Sequence, residues 1–272
     1  MPLPLDFHSL TPLPLAAAVR RLRAEAPLVQ CLTNVVVAHF TANVLLAAGA
    51  SPAMVDNPAE AGAFAGISAA VLVNLGTPYA DTAQAMQAAV RGAEAAGVPW
   101  VLDPVAAGAL AWRTGLALDW VRHHRPAIVR GNASEVLALA GGTGGKGVES
   151  LASAEPALAA AAALAAERSM VVAVSGAVDH ITDGRRLVRI ANGHPHLTRV
   201  TGAGCALGAL MAAFAAVEGD ALVAAAAATA LLTVAADRAA EQSAGLGSFA
   251  VALLDHLHLL TPEALAGAVR LV

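Results

Sequence analysis

Thr201-Gly202-Ala203-Gly204-Cys205 is a segment whose residue types and spacing suit chemistry on a phosphoryl group. It opens an uncharged run over 206–217 that has the composition of a buried helix. The two glycines let the backbone turn tightly and leave several N–H groups pointing one way, and the helix dipole behind them favours an anion there. The Cys205 thiol would lie beside that anion. The segment therefore suggests phosphoryl transfer to a small alcohol.

A purely structural interpretation of the same segment stays open. Gly-Ala-Gly before an alanine-rich helix is also typical of a tight turn with close helix packing, and a cysteine there is often an inert apolar residue. Short glycine motifs are weak indicators by themselves. The functional interpretation therefore depends on which other residues the fold brings to this point.

Polar residues end three of the predicted strands. Asp103 ends one strand, Arg130-Gly131-Asn132 ends the next with Glu135 in the first turn of the helix that follows, and Ser175 ends a third. In open α/β sheets, ligands bind beyond the carboxyl ends of the strands. We therefore expect these residues to form the rim of an active site.

The strand-end residues are those that phosphoryl transfer needs, namely a cation on the phosphates and carboxylates for a metal ion. Mg²⁺ takes oxygen ligands and keeps several waters, so Asp103 and Glu135 would suffice. Arg130 is suited to bidentate contact with phosphate oxygens. Structural alternatives are a turn-forming Asp-Pro, a helix N-terminal charge at Glu135, and an ion pair between Arg130 and Glu135.

Other motifs fit catalysis less well. His194-x-His196 and His256-x-His258 resemble metal-ligand pairs, but no Cys or carboxylate cluster completes either one. Since residues i and i+2 of a helix do not share a face, we expect the second pair to be solvated. The glycine run 141–147, which contains Lys146, lacks the spacing of a Walker loop and predicts a flexible surface loop. No Gly-x-Ser-x-Gly elbow is present, which argues against a hydrolase.

The composition raises the question of membrane spans. The chain has 272 residues, of which 57% are hydrophobic and 13% charged, and a mean hydropathy of +0.64. The uncharged run 200–217 opens with the glycine turn, and the run 221–236 is mostly alanine and barely long enough to span a bilayer. Both therefore predict core helices of a protein that does not associate with membranes.

Charge and cysteine content narrow the choice of partners and compartment. The net charge of −4 and the 3% aromatic content provide no basic or base-stacking surface, so we expect no nucleic-acid partner. The two cysteines, Cys31 and Cys205, form no CxxC motif, which fits a reduced cytoplasmic protein rather than a disulfide framework. Residues 1–4 lack the basic and apolar parts of a signal peptide.

Short apolar runs alternate with helical patterns along most of the chain. This order predicts an α/β fold with a mostly parallel central sheet sandwiched by helices, in one domain over 1–272. A hairpin is expected around Asp183-Gly184, between strands 181–182 and 187–190, and a wholly helical carboxyl-terminal region over 204–272. The uncharged stretch 61–80 predicts a helix, a strand and a loop. The other predicted strands are 28–32, 69–74, 100–103, 127–130 and 170–175, and the other predicted helices are 36–48, 82–97, 134–140 and 156–168.

Taken together, these segments resemble the hydroxyethylthiazole kinase family of the ribokinase-like superfamily over roughly residues 27–261. The Ala-Ser-Pro-x-Met segment at 50–54 and the Arg-Gly-Asn-x-Ser-Glu segment at 130–135 are specific, whereas the Gly-Ala-Gly motif is shared by the whole superfamily. Cys205 stands where most of the superfamily carries Asp. The matching stretches, in the family's order, are Leu32-Thr33-Asn34, 43–54, Leu102-Asp103-Pro104-Val105, 130–135, Ser175-Gly176-Ala177-Val178-Asp179 and 200–205.

The resemblance implies an ATP- and Mg²⁺-dependent transfer of the γ-phosphoryl group to the hydroxyl of 4-methyl-5-(2-hydroxyethyl)thiazole in thiamine biosynthesis. It also implies a homotrimer with active sites at subunit interfaces, so that residues of 34–54 would serve a neighbour's site. Leu110 departs from the family, whose members usually have Thr there. By residue, the resemblance implies catalytic roles for Gly202, Ala203, Gly204 and Cys205, thiazole contacts at Met54, Gly202 and Asn34, ATP contacts at Arg130, Asn132 and Ser175, and metal-associated carboxylates at Asp103 and Glu135.

Cys205 is the residue whose role the sequence explains least. An ordinary thiol has a pKa of about 8.5, and we expect the helix N-terminus to lower it, with bound triphosphate acting in the opposite direction. A dissociative transition state requires little deprotonation of the alcohol. Our hypothesis is that Cys205 orients the hydroxyl and acts as a weak base.

Three other functions stay open at the level of sequence. Another ribokinase-like kinase, acting on hydroxymethylpyrimidine or pyridoxal, and a dehydratase of hydrated nicotinamide cofactors normally carry Asp at the position of Cys205. Neither accounts for the Ala-Ser-Pro-x-Met segment. A non-catalytic nucleotide-binding protein is the third, although metal, phosphate and acceptor positions all carry suitable residues.

Overall fold

The computed structural model describes residues 10–141 and 154–272 of the chain. The predicted absence of a signal peptide at residues 1–4 and the predicted loop around Lys146 lie outside the described residues. The strands of the described chain are Leu28–Leu32 (β1), Ser51–Ala53 (β2), Ala70–Asn74 (β3), Trp100–Asp103 (β4), Ile128–Asn132 (β5), Val171–Ser175 (β6), Asp179–Thr182 (β7) and Leu187–Ile190 (β8).

Helices connect most of these strands, and a block of helices follows the last one. A single 3-10 turn, Pro195–Thr198, precedes that block. The helices of the described chain are Pro12–Glu25 (α1), Ala38–Ala48 (α2), Ala61–Ala65 (α3), Ala80–Ala96 (α4), Ala111–His123 (α5), Ala133–Leu139 (α6), Ala154–Arg168 (α7), Ala203–Val217 (α8), Ala221–Gln242 (α9), Leu246–Leu259 (α10) and Pro262–Ala268 (α11).

All eight strands belong to one sheet in the order β2-β1-β3-β4-β5-β6-β7-β8. The first six pair in parallel, and β7 and β8 add an antiparallel hairpin at one edge. The predicted mostly parallel α/β sheet and the predicted hairpin are both confirmed. Because strands β1 and β3 to β6 run the same way, their carboxyl ends meet along one side of the sheet.

Successive side chains of a strand point to opposite faces of the sheet, so the hydrophobic core has one part on each face. In β3, Leu72 packs on one face, whereas Val71 and Val73 pack on the other. Helices α1, α2, α8, α9 and α10 cover the first face, and α4 to α7 cover the second. Helix α8 crosses β1, β3 and β4, which places its first turn over the carboxyl ends of the central strands.

One helix of the described chain, α9, is long and apolar enough to cross a membrane, and 83% of its most apolar window is buried inside the protein. That burial is expected for a core helix, as the sequence predicted. His256 on α10 corrects another prediction, because it is buried and its Nε2 lies 3.0 Å from Oε1 of Gln242, whereas we expected a solvated pair. The neighbouring His258 is exposed.

The edge strand β2 has only three residues, and its middle residue is Pro52. It pairs with β1 on one side, where the backbone N–H of Ser51 donates to the carbonyl of Pro27 at 2.9 Å. Successive backbone N–H groups of a strand point to opposite sides, so the N–H of the middle residue would point outward. Proline has no N–H, and this edge therefore presents no strand donor at that position.

The opposite edge strand, β8, is covered by extended backbone from the end of the chain. Leu271 forms a β-bridge with Ile190, and the N–H of Val272 donates to the carbonyl of Arg189 at 3.2 Å. The prediction of a wholly helical region over 204–272 is therefore wrong for its last residues. The helices α8 to α11 account for most of that region, as expected.

Candidate active site

The first turn of α8 is formed by the glycine segment, and Gly202 is the residue that makes it possible. Its φ of 97° lies in the left-handed region, and a Cβ there would lie 2.9 Å from Cγ1 of Val37 and 3.0 Å from Cδ1 of Phe40. Its carbonyl accepts the N–H of Ala206 at 2.8 Å, which starts the helix. The N–H groups of Gly204 and Cys205 precede that bond and have no acceptor within the helix. They are therefore available to an anion.

Arg130 lies directly over this helix N-terminus. A Cβ on Gly204 would lie 3.0 Å from both Nη1 and Nη2 of the guanidinium, so the absence of a side chain creates the space that Arg130 fills. Nη2 donates to Oγ of Ser175 at 3.1 Å, and Nη1 lies 3.7 Å from Oδ2 of Asp103. The cation and the positive end of a helix dipole thus act together on one point, which is a site for phosphate oxygens.

Asp103 is the carboxylate at the centre of the site and is fully buried. Burial raises its pKa to about 7; the charge of Arg130 opposes that increase, and the charge of Glu135 adds to it. Oδ2 accepts a hydrogen bond from Nδ2 of Asn74 at 2.7 Å, whereas Oδ1 has no hydrogen-bond partner among the described residues. A buried oxygen without a partner beside a phosphate site suits a metal ligand.

Glu135 already has partners for both of its carboxylate oxygens. Oε1 accepts the N–H of Ala106 at 2.9 Å, and Oε2 accepts the N–H of Asn132 at 2.8 Å. The side chain of Asn132 in turn accepts the N–H of Glu135 at 3.0 Å, which completes a capping box on α6. Ala106 has a left-handed φ of 65°, so Glu135 stabilises a strained backbone in the loop that follows Asp103.

Residues 10–141 and 154–272 contain no cluster of three or more His, Cys, Asp or Glu side chains that could hold a metal ion. This does not conflict with the donor set of a Mg²⁺–nucleotide complex, in which one or two carboxylates act together with phosphates and waters. The unpaired Oδ1 of Asp103 fits that pattern. Glu135 as a direct ligand stays a prediction, and its two backbone hydrogen bonds favour a supporting role.

Cys205 lies beside Asn34, whose Nδ2 is 3.3 Å from the sulfur. Burial raises the pKa of the Cys205 thiol, the negative charge of Asp103 raises it further, and hydrogen bonds from Asn74 and Asn34 only partly oppose this. The expectation that the helix N-terminus lowers this pKa is therefore wrong for the protein without its substrates. The raised pKa favours the thiol over the thiolate at neutral pH.

Asn74 is the functional residue that sequence reasoning missed. It ends β3 beside Asp103 in the register of the sheet and is fully buried, although it follows an apolar run. Its amide contacts Asn34, Asp103 and Cys205. The signal was a polar residue at the carboxyl end of a buried strand, which is the same signal that identified Asp103.

A cavity of about 660 Å³ opens beside the start of α8 and is large enough for a small-molecule ligand. Its wall includes Asp179, whose pKa burial raises to about 6 against a backbone hydrogen bond from Gly176 and the charge of Arg130. The predicted ATP contacts Arg130, Asn132 and Ser175 all line it, and so do Ala203 and Gly204.

His194 also lines this cavity, and its ring packs against those of His196 and Phe249. Its ring centroid lies 4.4 Å from that of His196, which lies 5.3 Å from that of Phe249. The backbone N–H of His196 donates to the ring Nδ1 of His194 at 3.2 Å, and this hydrogen bond caps the start of the 3-10 turn.

Met54 lies away from the cavity, directly after the edge strand β2, with 38% of its surface exposed. Three strands separate β2 from β5, at the end of which Arg130 and Asn132 lie. The loop after Met54 is held by buried Gln30, whose Nε2 donates to the carbonyls of Val55 at 2.8 Å and Ala61 at 3.1 Å. The structure thus brings Asn34, Cys205, Asp103, Arg130 and Ser175 together and leaves Met54 at the rim.

Leu110, the residue that departs from the family pattern, starts α5 and is 46% exposed. A threonine hydroxyl nevertheless lies close by, in the first turn of α5. Oγ1 of Thr114 donates to the carbonyl of Leu110 and accepts the N–H of Gly108, both at 2.8 Å. The hydroxyl is therefore engaged with the backbone of this turn.

Comparisons with known proteins identify relatives that match most of the chain. The model of the hydroxyethylthiazole kinase family matches residues 19–263. Hydroxyethylthiazole kinase from Clavibacter sepedonicus is 59% identical over 252 residues, which cover 92% of this chain and 91% of that protein. The solved structure of a hydroxyethylthiazole kinase protein from Pyrococcus horikoshii OT3 is 37% identical, covers 95% of this chain and 98% of that chain, and has a TM-score of 0.88. A ribokinase-like superfamily protein from Enterococcus faecalis V583, 13% identical over 90% of this chain and 81% of that one with a TM-score of 0.58, shares the fold.

Proposed function

This chain belongs to the hydroxyethylthiazole kinase family, and we propose that it transfers the γ-phosphoryl group of ATP to the hydroxyl of 4-methyl-5-(2-hydroxyethyl)thiazole. The observation that carries the chemistry is the meeting of Arg130 with the N-terminus of α8, directly beside Cys205 and Asn34. Phosphoryl transfer requires positive charge around the transferred group and an oriented acceptor. Both are supplied by residues that meet at the first turn of α8.

ATP occupies the 660 Å³ cavity, with its phosphates toward the start of α8. Arg130 binds phosphate oxygens while Ser175 fixes the plane of its guanidinium. The N–H groups of Gly204 and Cys205 face the transferred group and stabilise the charge that develops on it. Asp103 would hold Mg²⁺ through Oδ1, and the ion would supply charge neutralisation between the phosphates. Glu135 holds the loop after Asp103 in place.

The acceptor hydroxyl lies between Cys205 and the phosphate site. Because the pKa of Cys205 is raised, the thiol orients the hydroxyl and contributes little as a base. This is compatible with a dissociative transition state, in which the alcohol loses its proton late. General-base catalysis typically contributes 10²- to 10⁴-fold, so replacing Cys205 by Ala should lower kcat by less than about 10⁴-fold.

The assembly implied by the family resemblance is a homotrimer, in which Met54 contacts thiazole in a neighbour's active site. Met54 is partly exposed at the rim, and Val35 and Val36 are exposed in the loop after the neighbouring strand β1; both observations support this arrangement. We further propose one kinase domain over 1–272, a cytoplasmic location and a role in thiamine biosynthesis. A single sheet through the described chain supports the first of these.

The experiment that tests the function is ADP formation from ATP and Mg²⁺ with and without hydroxyethylthiazole, using hydroxymethylpyrimidine and pyridoxal as control alcohols. Thiazole-dependent ADP formation is expected. Turnover with a control alcohol alone would contradict the substrate. Folded protein that binds ATP and turns over none of the three would contradict the kinase, and would favour the dehydratase or the non-catalytic protein.

A mixing experiment tests the shared active site. Met54→Ala and Cys205→Ala variants are each prepared alone and then co-expressed. If Met54 serves a neighbour, mixed trimers contain sites with an intact Met54 from one subunit and an intact Cys205 from another. Activity should then exceed the mean of the two variants, whereas activity equal to that mean would place both residues in one subunit's site.

A further inference from the structure

The amide orientation of Asn74 is fixed by a neighbour that can only donate. The backbone N–H of Gly76 lies 2.9 Å from Oδ1 of Asn74, so the oxygen must be on that side. Nδ2 then faces Oδ2 of Asp103 at 2.7 Å, where a carboxylate accepts it. Two independent partners therefore agree on one orientation, and a flipped amide would bring two donors together at Gly76 and two acceptors together at Asp103.

This orientation is passed on to Asn34. Oδ1 of Asn74 also accepts from Nδ2 of Asn34 at 3.0 Å, so Asn34 must present its nitrogen on this side. The same nitrogen lies 3.3 Å from the sulfur of Cys205, which makes the sulfur an acceptor in this contact. The carbonyl oxygen Oδ1 of Asn34 takes no part in these two contacts, and it accepts no hydrogen bond from the described residues.

Steric packing prevents Asn34 from rotating out of this arrangement. A Cβ on Gly76 would lie 2.6 Å from both Cβ and Cγ of Asn34, so the glycine backbone lies directly against the asparagine side chain. Asn34 is also 94% buried, with a relative exposure of 6%. Its orientation therefore depends on the hydrogen bond that Asn74 supplies, and on a fit that leaves no room for another side-chain position.

We propose that Asn74 is a specificity-determining positioning residue, which makes Asn34 present an acceptor oxygen, and Cys205 an acceptor sulfur, to the group that is to be phosphorylated. The proposal rests on the proposed function for the place of the acceptor. An alcohol satisfies this arrangement because its O–H donates to one of these acceptors while its oxygen lone pairs face the phosphate. An ether oxygen in the same place cannot donate, so it leaves the acceptor without a partner, which a site penalises strongly.

The test compares hydroxyethylthiazole with its O-methyl ether, which keeps the ring and the oxygen but has no hydrogen to donate. The measured quantity is the ratio of the dissociation constant of the ether to that of hydroxyethylthiazole, both determined without ATP. The wild-type ratio should exceed about 10². In Asn74→Ala the ratio should fall at least tenfold, and the KM for hydroxyethylthiazole should rise by a larger factor than the KM for ATP. An unchanged ratio, or equal increases in both KM values, would overturn the proposal.

A second variant tests whether the effect of Asn74→Ala comes from the lost hydrogen bonds or from a loss of stability. Asn74→Asp keeps an oxygen for Gly76 and Asn34 and should preserve much of the ratio, even if repulsion from Asp103 lowers kcat. Thr182→Ala is the matched control, since Thr182 is fully buried, donates to one backbone carbonyl and accepts one backbone N–H away from the site. If the ratio also fell at least tenfold in Thr182→Ala, the ratio would depend only on the stability of the protein, and the proposal would be contradicted.

A double-mutant cycle tests whether Asn74 acts through Asn34. If it does, Asn34→Ala combined with Asn74→Ala should have the same ratio as Asn34→Ala alone. If the decreases in the ratio caused by the two single substitutions added up in the double variant, Asn74 would not act through Asn34. If the wild-type enzyme phosphorylates a different alcohol, the proposed substrate fails, and the same ratio is measured with that alcohol and its methyl ether. If no alcohol is phosphorylated, the inference fails together with the function.

Discussion

Gly204→Ala should stabilise the protein slightly and impair its activity, two effects of opposite sign from one methyl group. Gly204 lies in the first turn of α8 with an ordinary helical backbone, so alanine relieves an entropic disadvantage of about 0.5–1 kcal/mol for an interior position and less at a helix start. The new Cβ would lie 3.0 Å from both terminal nitrogens of Arg130. That is about 0.4 Å inside ordinary contact, and the guanidinium must move.

The size of the activity loss follows from what Arg130 contacts. A hydrogen bond to a charged group contributes about 1.5–3 kcal/mol, and a partial loss of about 1–2 kcal/mol corresponds to a 5- to 30-fold decrease in kcat/KM for ATP. Displacement also lengthens the contact with Ser175. The free energy of unfolding, measured in urea without substrates, should meanwhile be unchanged or up to about 1 kcal/mol higher.

Gly115→Ala is the matched control, because Gly115 lies inside α5 and a Cβ there meets nothing within 4 Å. This variant should gain stability by a similar amount and keep the wild-type kcat/KM. Equal kcat/KM in the two variants would refute the reasoning that Gly204 provides the space for Arg130. A decrease of more than 1 kcal/mol in the stability of Gly204→Ala would show that Arg130 cannot move aside.

Three further predictions concern single side chains. Arg130→Lys should lower kcat/KM for ATP by about 10²-fold in steady-state kinetics, since a point charge cannot replace the guanidinium fork, and near-wild-type activity would contradict a bidentate role. Gln30→Leu should lower the free energy of unfolding by about 1–3 kcal/mol, measured in urea, because two backbone carbonyls lose their donor, and unchanged stability would contradict this. For Asp220, the hydrogen bond from Arg186 lowers the pKa below that of the unfolded chain, so the carboxylate stabilises the fold above about pH 4 and loses this effect as the pH falls through the folded-state pKa. Asp220→Asn, which can still cap α9, should therefore be less stable than the wild type at pH 7 and approach it at pH 3, and a constant difference in urea unfolding would refute the assignment.

The central strands could be predicted from the sequence because both of their faces are buried. Such strands appear as continuous apolar runs, and β1 and β4 occur over the predicted residues. The prediction did not include β2, since a three-residue strand containing Pro52 has no local signal and forms only because β1 lies beside it. Helices α1 and α5 were also not predicted, although both have apolar positions at helical spacing.

The candidate site was predictable in its residue types but not in its contacts. Strand-end positions identified Asp103, Arg130 and Ser175, and in the structure Arg130 donates a hydrogen bond to Ser175 and forms an ion pair with Asp103. The engagement of Glu135 with the N–H of Ala106 depends on a left-handed alanine, which no sequence pattern indicated. Asn74 was missed for a similar reason, because its role lies in contacts with residues 40, 29 and 131 positions away.

The two edges of the sheet have a consequence for how this protein assembles and avoids aggregation. An exposed edge strand is a template for strand addition, and a long apolar one recruits other chains. Here one edge is a three-residue strand with Pro52 at its outward position, and the other is already paired through Leu271. Neither edge invites a further strand. The proposed trimer would therefore have to form through side-chain surfaces, since neither edge of the folded sheet offers a strand for pairing.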